Sequence, residues 1–180
     1  MEQRDRNGLT EKEFLEAYAK KNYPRPYVTA DLVVFTENGP EVLLVKRKGH
    51  PYIGRWAFPG GFAEPNESVP ETALRELREE TGIRNLTEED IREVGLFSKP
   101  GRDPRGWIVS GVYTATVRKE NVVPKAGDDA ADAQWFAVRS GPDGVPVLSS
   151  GTRRLTPSDL AFDHGEILLK ALEKRGAGKN

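Results

Sequence analysis

The sequence predicts an α/β protein in which a mostly β core of mixed strand order is layered between helices. Two observations carry that expectation. Segment 27–35, YVTADLVVF, and segment 41–46 are rich in β-branched residues, and Asn38-Gly39 between them suits a tight hairpin. A helical pattern over 69–81 is then followed by β-rich runs at 93–97, 107–117 and 134–138, so helices and strands interleave along the chain.

The remaining elements follow from local chemistry. Thr10 and Glu13 form a capping-box pair, and Phe14, Leu15 and Tyr18 give a short first helix an apolar stripe. That helix ends near Lys21, before Pro24 and Pro26. After the loop 47–56, Gly60-Gly61 reads as a glycine turn leading to the 69–81 helix, which Gly82 stops. The last helix is expected to start at Thr156-Pro157, a cap followed by proline in the first turn, and to run through Leu160, Ile167, Leu168 and Leu172 towards Gly176. The organisation expected is an N-terminal helical extension over 1–26, one domain over 27–174 and a flexible tail over 175–180.

Composition narrows the function classes. A chain of 180 residues has room for one core, and 27 basic against 28 acidic residues leave a net charge of -1. No global basic field exists to drive sequence-independent binding to nucleic acid, so no nucleic-acid partner is expected. The absence of cysteine removes disulfides, thiolate zinc sites and thiol nucleophiles, and any metal must be held by oxygen or by the two histidines. No charged start with an apolar run follows the first Met, and no long apolar run occurs, so a cytoplasmic protein without a membrane partner is expected.

The chain becomes specific at residues 60–83, GGFAEPNESVPETALRELREETGI. With about 100° per residue, Glu76, Glu79 and Glu80 crowd an arc of about 100° on the 69–81 helix, while Leu74, Leu77 and Thr81 fall on the flank that docks on the sheet. Crowded carboxylates repel unless a cation sits among them, and hard oxygen ligands suit Mg²⁺ or Mn²⁺. The alternative is a solvated face whose glutamates pair with Arg75 and Arg78; the glycines and Glu67 at their fixed distance weigh for a metal-phosphate site.

This stretch resembles the signature of the Nudix hydrolases: Gly61, Glu67, Arg75-Glu76-Leu77, Glu79-Glu80 and Gly82-Ile83 match at all nine constrained positions. The resemblance covers roughly residues 27–172 and implies a Nudix-type α/β/α sandwich, with a mixed β-sheet core and the box helix packed on it. It implies that Glu76, Glu79, Glu80 and the backbone carbonyl of Gly60 ligate metal, with Glu67 in an outer position or on a further ion, and that Arg75 orients Glu79. In this family the metals bridge a pyrophosphate and activate water for attack on phosphorus.

Substrate choice belongs to the loops outside the box. The segments SKPGRDPRGWIVSGVY at 98–113, GDDAADAQWF at 127–136 and LAFDHGEIL at 160–168 are similar to the Nudix ADP-ribose pyrophosphatases. Arg102, Arg105 and Arg55 are the candidate phosphate-contacting arginines, a planar guanidinium being suited to bidentate contacts. In the loop before a strand, where many Nudix enzymes keep a base or a further ligand, Asp129 is the first candidate and Asp128 the second, with Asp132 structural. Trp56 and Phe58 read as core before base-stacking rings, and His164 as a packing or hydrogen-bonding residue. The expected activity is metal-dependent hydrolysis of ADP-ribose to AMP and ribose 5-phosphate. The alternatives are a nucleoside triphosphate pyrophosphohydrolase and a non-catalytic ADP-ribose sensor. Against the sensor stand the intact box carboxylates and the short stretch after the last core strand. A small-molecule nucleotide is the expected partner, and a homodimer is left open because dimers are common in the resembled subfamily.

Overall fold

The computed structural model describes residues 2–121, 130–141 and 143–177. The β-branched runs form the expected hairpin of β1 (Tyr27–Thr36) and β2 (Glu41–Arg47), closed by a hydrogen bond of 2.7 Å from the Thr36 hydroxyl to the Gly39 carbonyl. Their registered pairing stays at the hairpin end, where Phe35 faces Val42. Further along, two short strands enter between them: β3 (Trp56–Ala57) pairs with Val45 and Lys46 of β2, and β4 (Gly60–Phe62) pairs with Thr29, Ala30 and Asp31 of β1. The sheet is therefore opened into a wedge at one end.

On the other edge of β1, β6 (Ile108–Val117) runs parallel along the whole strand, and β5 (Ile91–Phe97) lies antiparallel to β6. Beyond β2 follow β7 (Ala130–Ser140), β8 (Pro146–Ser150) and β9 (Arg153–Leu155), all antiparallel, giving the order β5-β6-β1-β2-β7-β8-β9. Alternation along β1 divides the core. Ala30, Leu32 and Val34 pack with Ala73, Leu74 and Leu77 of the box helix α2 (Val69–Thr81), whereas Val33 and Phe35 pack with Ile167, Leu168 and Ala171 of α3 (His164–Ala177). This is the α/β/α layering read from the sequence. The box helix keeps its expected bounds, with Ser68 and Glu71 forming a capping box at its start and Gly82 at φ 75° at its end.

Three local readings are corrected. Gly60 and Gly61 are not a turn but part of strand β4. Thr156-Pro157 starts only a single 3-10 turn, and α3 begins at His164, because the backbone of Leu160 is extended and bridges Trp56 of β3 while the Ala161 N–H donates to the Trp56 carbonyl at 2.8 Å. Strands β8 and β9 have no counterpart in the sequence pattern, being short and rich in Ser, Arg and Pro rather than in a β-branched run. The first helix, α1 (Glu11–Ala19), has its capping box, but Phe14, Leu15 and Tyr18 are exposed and none of its residues is buried. Asp128 and Asp129 lie outside the described residues. Among the described residues no helix is long and apolar enough to cross a membrane.

Candidate active site

The wedge between β1 and β2 holds a cavity of about 630 Å³. Its lining carries charges of both signs: the carboxylates of Asp31, Asp103 and, from α2, Glu76 and Glu80, and the guanidinium groups of Arg47, Arg75, Arg102 and Arg105. Gly60 and His164 also line it. Every carbon a side chain would add at the glycine strand meets something: a Cβ at Gly60 would strike the Asp31 carboxylate and the Ala30 carbonyl, and one at Gly61 would strike the Glu76 carboxylate. Glycine is required here for close approach and not for a turn.

Arg75 ties the box together. Its Nε donates to Glu67 Oε1 at 2.7 Å, its Nη1 to Glu76 Oε1 at 2.8 Å and to Glu79 Oε2 at 3.1 Å, and its Nη2 to the Phe62 carbonyl at 2.9 Å. The sequence reading gave Arg75 only Glu79, whereas its shortest contacts are with Glu67 and Glu76. The hydrogen bonds from Arg75, which outweigh the effect of desolvation, hold the Glu67 carboxyl down at about 2. Glu67 and Glu79 thus turn towards the guanidinium, and Glu79 remains the most exposed of the set at 58% of its side chain.

Glu80 is the opposite case. Burial, together with the nearby Glu76 and Asp31 carboxylates, pushes its carboxyl up to about 8, against a hydrogen bond of 3.1 Å from the Gly60 N–H and the attraction of Arg47. Carboxylates line the cavity with no thiolate among them, which fits a hard divalent ion, and a cation there would relieve the crowding that helps raise Glu80. Among the described residues no three His, Cys, Asp or Glu side chains are already gathered as a metal cluster. Glu76 and Glu80, which line the cavity, and the more exposed Glu79 are the box carboxylates that could hold such an ion.

Asp31, Arg47 and His164 face the cavity although the sequence reading gave none of them a site role. His164 is buried and accepts the Phe58 N–H at its Nδ1 at 2.9 Å, so its proton lies on Nε2, which points to Asp31 Oδ1 at 3.6 Å. Burial lowers its pKa and keeps the ring neutral. The Ser110 hydroxyl donates to the other oxygen of Asp31. A lone charge inside the apolar run YVTADLVVF was the available signal for Asp31. Arg47, at the end of β2, donates to the Pro51 carbonyl at 2.8 Å and lies 4.9 Å from the Phe162 ring.

The arginines expected to read phosphate separate into different roles. Arg105 reaches the cavity over the Phe62 ring at 4.7 Å, with Asp103 Oδ2 2.7 Å from its Nη2. Arg102 lines the cavity too, but its guanidinium is engaged by Asp163. Arg55 does not line it: its Nη1 donates to the carbonyls of Ser158 at 2.9 Å and Leu160 at 3.3 Å, holding the segment that precedes α3. Trp56 and Phe58 are buried in the core, and Asp132 accepts a hydrogen bond of 2.8 Å from Gln134 on β7.

Known proteins carry the same architecture. The chain is 36% identical over 146 residues to an ADP-ribose pyrophosphatase of Methanocaldococcus jannaschii, covering 81% of this chain and 73% of that one. It is 29% identical over 172 residues to the ADPR responsive transcriptional repressor NtrR of Acinetobacter baylyi, of which it spans 62%. The NUDIX domain of Shewanella oneidensis NrtR, solved in complex with ADP ribose, superimposes with a TM-score of 0.71 at 30% identity, covering 92% of this chain and 99% of that domain. The NUDIX domain model matches residues 25–154. With that match over most of its length and an enzyme relative above 30% identity, the chain belongs to the Nudix hydrolase family.

Proposed function

We propose that the protein is a divalent-metal-dependent hydrolase of ADP-ribose, releasing AMP and ribose 5-phosphate. The observation that carries this reading is the cavity itself, where the box carboxylates Glu76 and Glu80 and the guanidinium groups of Arg47 and Arg105 line one space. Such a lining suits a diphosphate: Glu76, Glu79 and Glu80 would hold the divalent cation that neutralises it, and Arg105 and Arg47 would contact its oxygens. When bound, Mg²⁺ or Mn²⁺ would neutralise the diphosphate and lower the pKa of a water. Arg75 holds the box carboxylates in place, and the two glycines of β4 let the Asp31 and Glu76 carboxylates come up against the strand that lines the cavity.

The M. jannaschii relative and the ADP-ribose in the S. oneidensis domain support this ligand. The intact glutamates Glu67, Glu76, Glu79 and Glu80 support turnover over sensing alone. A panel of ADP-ribose, other nucleoside diphosphate derivatives and nucleoside triphosphates, assayed with Mg²⁺ and with Mn²⁺, tests the reading. AMP and ribose 5-phosphate as the fastest-formed products are expected. Faster hydrolysis of any triphosphate, or tight ADP-ribose binding with no turnover, would replace it with the corresponding alternative.

A further inference from the structure

The loop between β5 and β6 is irregular and closes on itself through two turns, from the Arg102 N–H to the Lys99 carbonyl at 3.1 Å and from the Gly106 N–H to the Asp103 carbonyl at 3.4 Å. Neither turn ties it to the rest of the protein. Its end is tied where the Trp107 carbonyl accepts from the Tyr27 N–H at 2.9 Å, and its middle by Arg102, whose Nε and Nη2 donate to the two oxygens of Asp163 at 2.7 and 2.6 Å, across 61 residues of sequence. Both side chains are largely buried, Arg102 to 5% and Asp163 to 13% exposure. The fork is taken edge-on by a carboxylate, which fixes orientation as well as distance.

Asp103 turns to the other end of the loop. Its carboxylate accepts from the Arg105 backbone N–H at 2.9 Å and from the Arg105 Nε and Nη2 at 3.0 and 2.7 Å. Burial alone would raise the Asp103 carboxyl, but these bonds from Arg105 prevail and hold it below the ordinary range. Arg105 is left with its faces over Phe62 at 4.7 Å and Phe162 at 5.3 Å and with part of its guanidinium open to the cavity. Asp163 and Arg105 are thus joined through two ion pairs on the adjacent residues Arg102 and Asp103, and Arg105 is the most exposed of the four at 37%. The next residue, His164, accepts from the Phe58 N–H beside the glycine strand, so two neighbouring side chains hold two different segments that line the cavity.

We propose that Asp163 is a positioning residue for the substrate: by chelating Arg102 it sets the loop that carries Asp103 and Arg105, and with it the reach of Arg105 towards the diphosphate of a bound nucleotide. The assignment rests on the proposed reading of the cavity as a nucleotide diphosphate site. A buried ion pair is weak support for stability in itself, since apolar residues of similar shape often do as well. What this pair specifies is where one cation stands.

The test is a double-mutant cycle on the full chain with Mg²⁺, using Asp163→Asn, Arg105→Ala and the two together. KM and kcat are read with ADP-ribose and with ATP, and the Kd of ADP-ribose by titration calorimetry. Asp163→Asn should raise KM and Kd about tenfold with kcat within about threefold, and the double variant should be no weaker than Arg105→Ala alone within about twofold. Multiplying effects would overturn the proposal, as would unchanged KM and Kd in Asp163→Asn accompanied by a lowered melting temperature. Should Asp163→Asn not fold, Arg102→Lys, which keeps the charge and loses the fork, is read in the same cycle. Turnover of ATP with no binding of ADP-ribose would remove the proposed substrate, and the same cycle read on ATP then decides the role of Asp163. No binding of either nucleotide overturns both.

Discussion

Gly61 lies where any side chain would run into the Glu76 carboxylate, while its neighbour Gly60 lies against backbone, at the Ala30 carbonyl and the Asp31 Cα. The two glycines therefore answer to different constraints. Gly61→Ala meets only the end of a side chain that can swing away, so the fold should survive with Glu76 displaced. Gly60→Ala has no such outlet. We expect Gly61→Ala to keep a melting temperature within a few degrees of wild type while losing at least about tenfold in Mn²⁺ affinity, and Gly60→Ala to be markedly destabilised. Thermal melts and Mn²⁺ titration of both variants check this; equal melting temperatures would contradict it.

Arg75→Ala removes contacts to Glu67, Glu76 and Glu79 together. Turnover should fall at least about a hundredfold, and the Mg²⁺ concentration for half-maximal rate should change, since the freed carboxylates no longer hold their places. An unchanged Mg²⁺ dependence would mean that Arg75 does not organise the box.

Glu80 sets a pH dependence of opposite sign to that of an ion-paired acid. Its carboxyl stands near 8 in the folded protein against an ordinary 4.5, so as pH rises between these values the unfolded chain releases the proton and the folded chain keeps it. This contribution falls across that window and levels off above it. Buried His164, whose pKa is lowered from 6.5, adds a contribution of the opposite sign that is complete by about pH 6.5, and Glu67, held at about 2, adds stability that is lost only as pH falls from about 4.5 towards 2. From about pH 6.5 to 8, melts with a chelator should therefore slope downward in wild type and lose that slope in Glu80→Gln, and added Mn²⁺ should reduce it by stabilising the ionised carboxylate. Equal profiles of wild type and Glu80→Gln in that range would show that Glu80 ionises freely.

Arg105→Ala should raise KM for ADP-ribose roughly tenfold, the loss of one charge-assisted contact, with a smaller change in turnover. For triphosphates the same change should matter less. Steady-state kinetics with both substrate types decide it, and an equal effect on both would make Arg105 a general anion contact.

The box helix could be read to the residue because its information is local: Ser68 and Glu71 cap it, Gly82 ends it, and Leu74 and Leu77 mark its buried side. The hairpin was legible for the same reason. What escaped was non-local. The extended backbone at Leu160 is set by the bridge to Trp56, which overrides the cap-and-proline signal at Thr156-Pro157. Arg102 and Arg105 look alike in sequence, and only the carboxylates they meet, Asp163 and Asp103, give them different work. Asp31 and His164 are far apart in the chain, and neither residue type announces the other.

The wedge that opens the sheet is closed by contacts between distant parts of the chain. Phe58 meets His164 across 106 residues, Arg55 meets Ser158 across 103, Asp31 meets Ser110 across 79, and Arg102 meets Asp163 across 61. Each of these is a side-chain bond, whereas Val33 and Leu44, paired with Thr114 and Gln134 across comparable separations, lie within continuous strand ladders and the buried core. The mouth of the cavity should then be a region that opens without global unfolding, detectable as amide exchange at Phe58 and Ala161 faster than at Val33 or Leu44 in the core. A bound nucleotide would slow that exchange, making the ligand itself the last piece of the fold to be added.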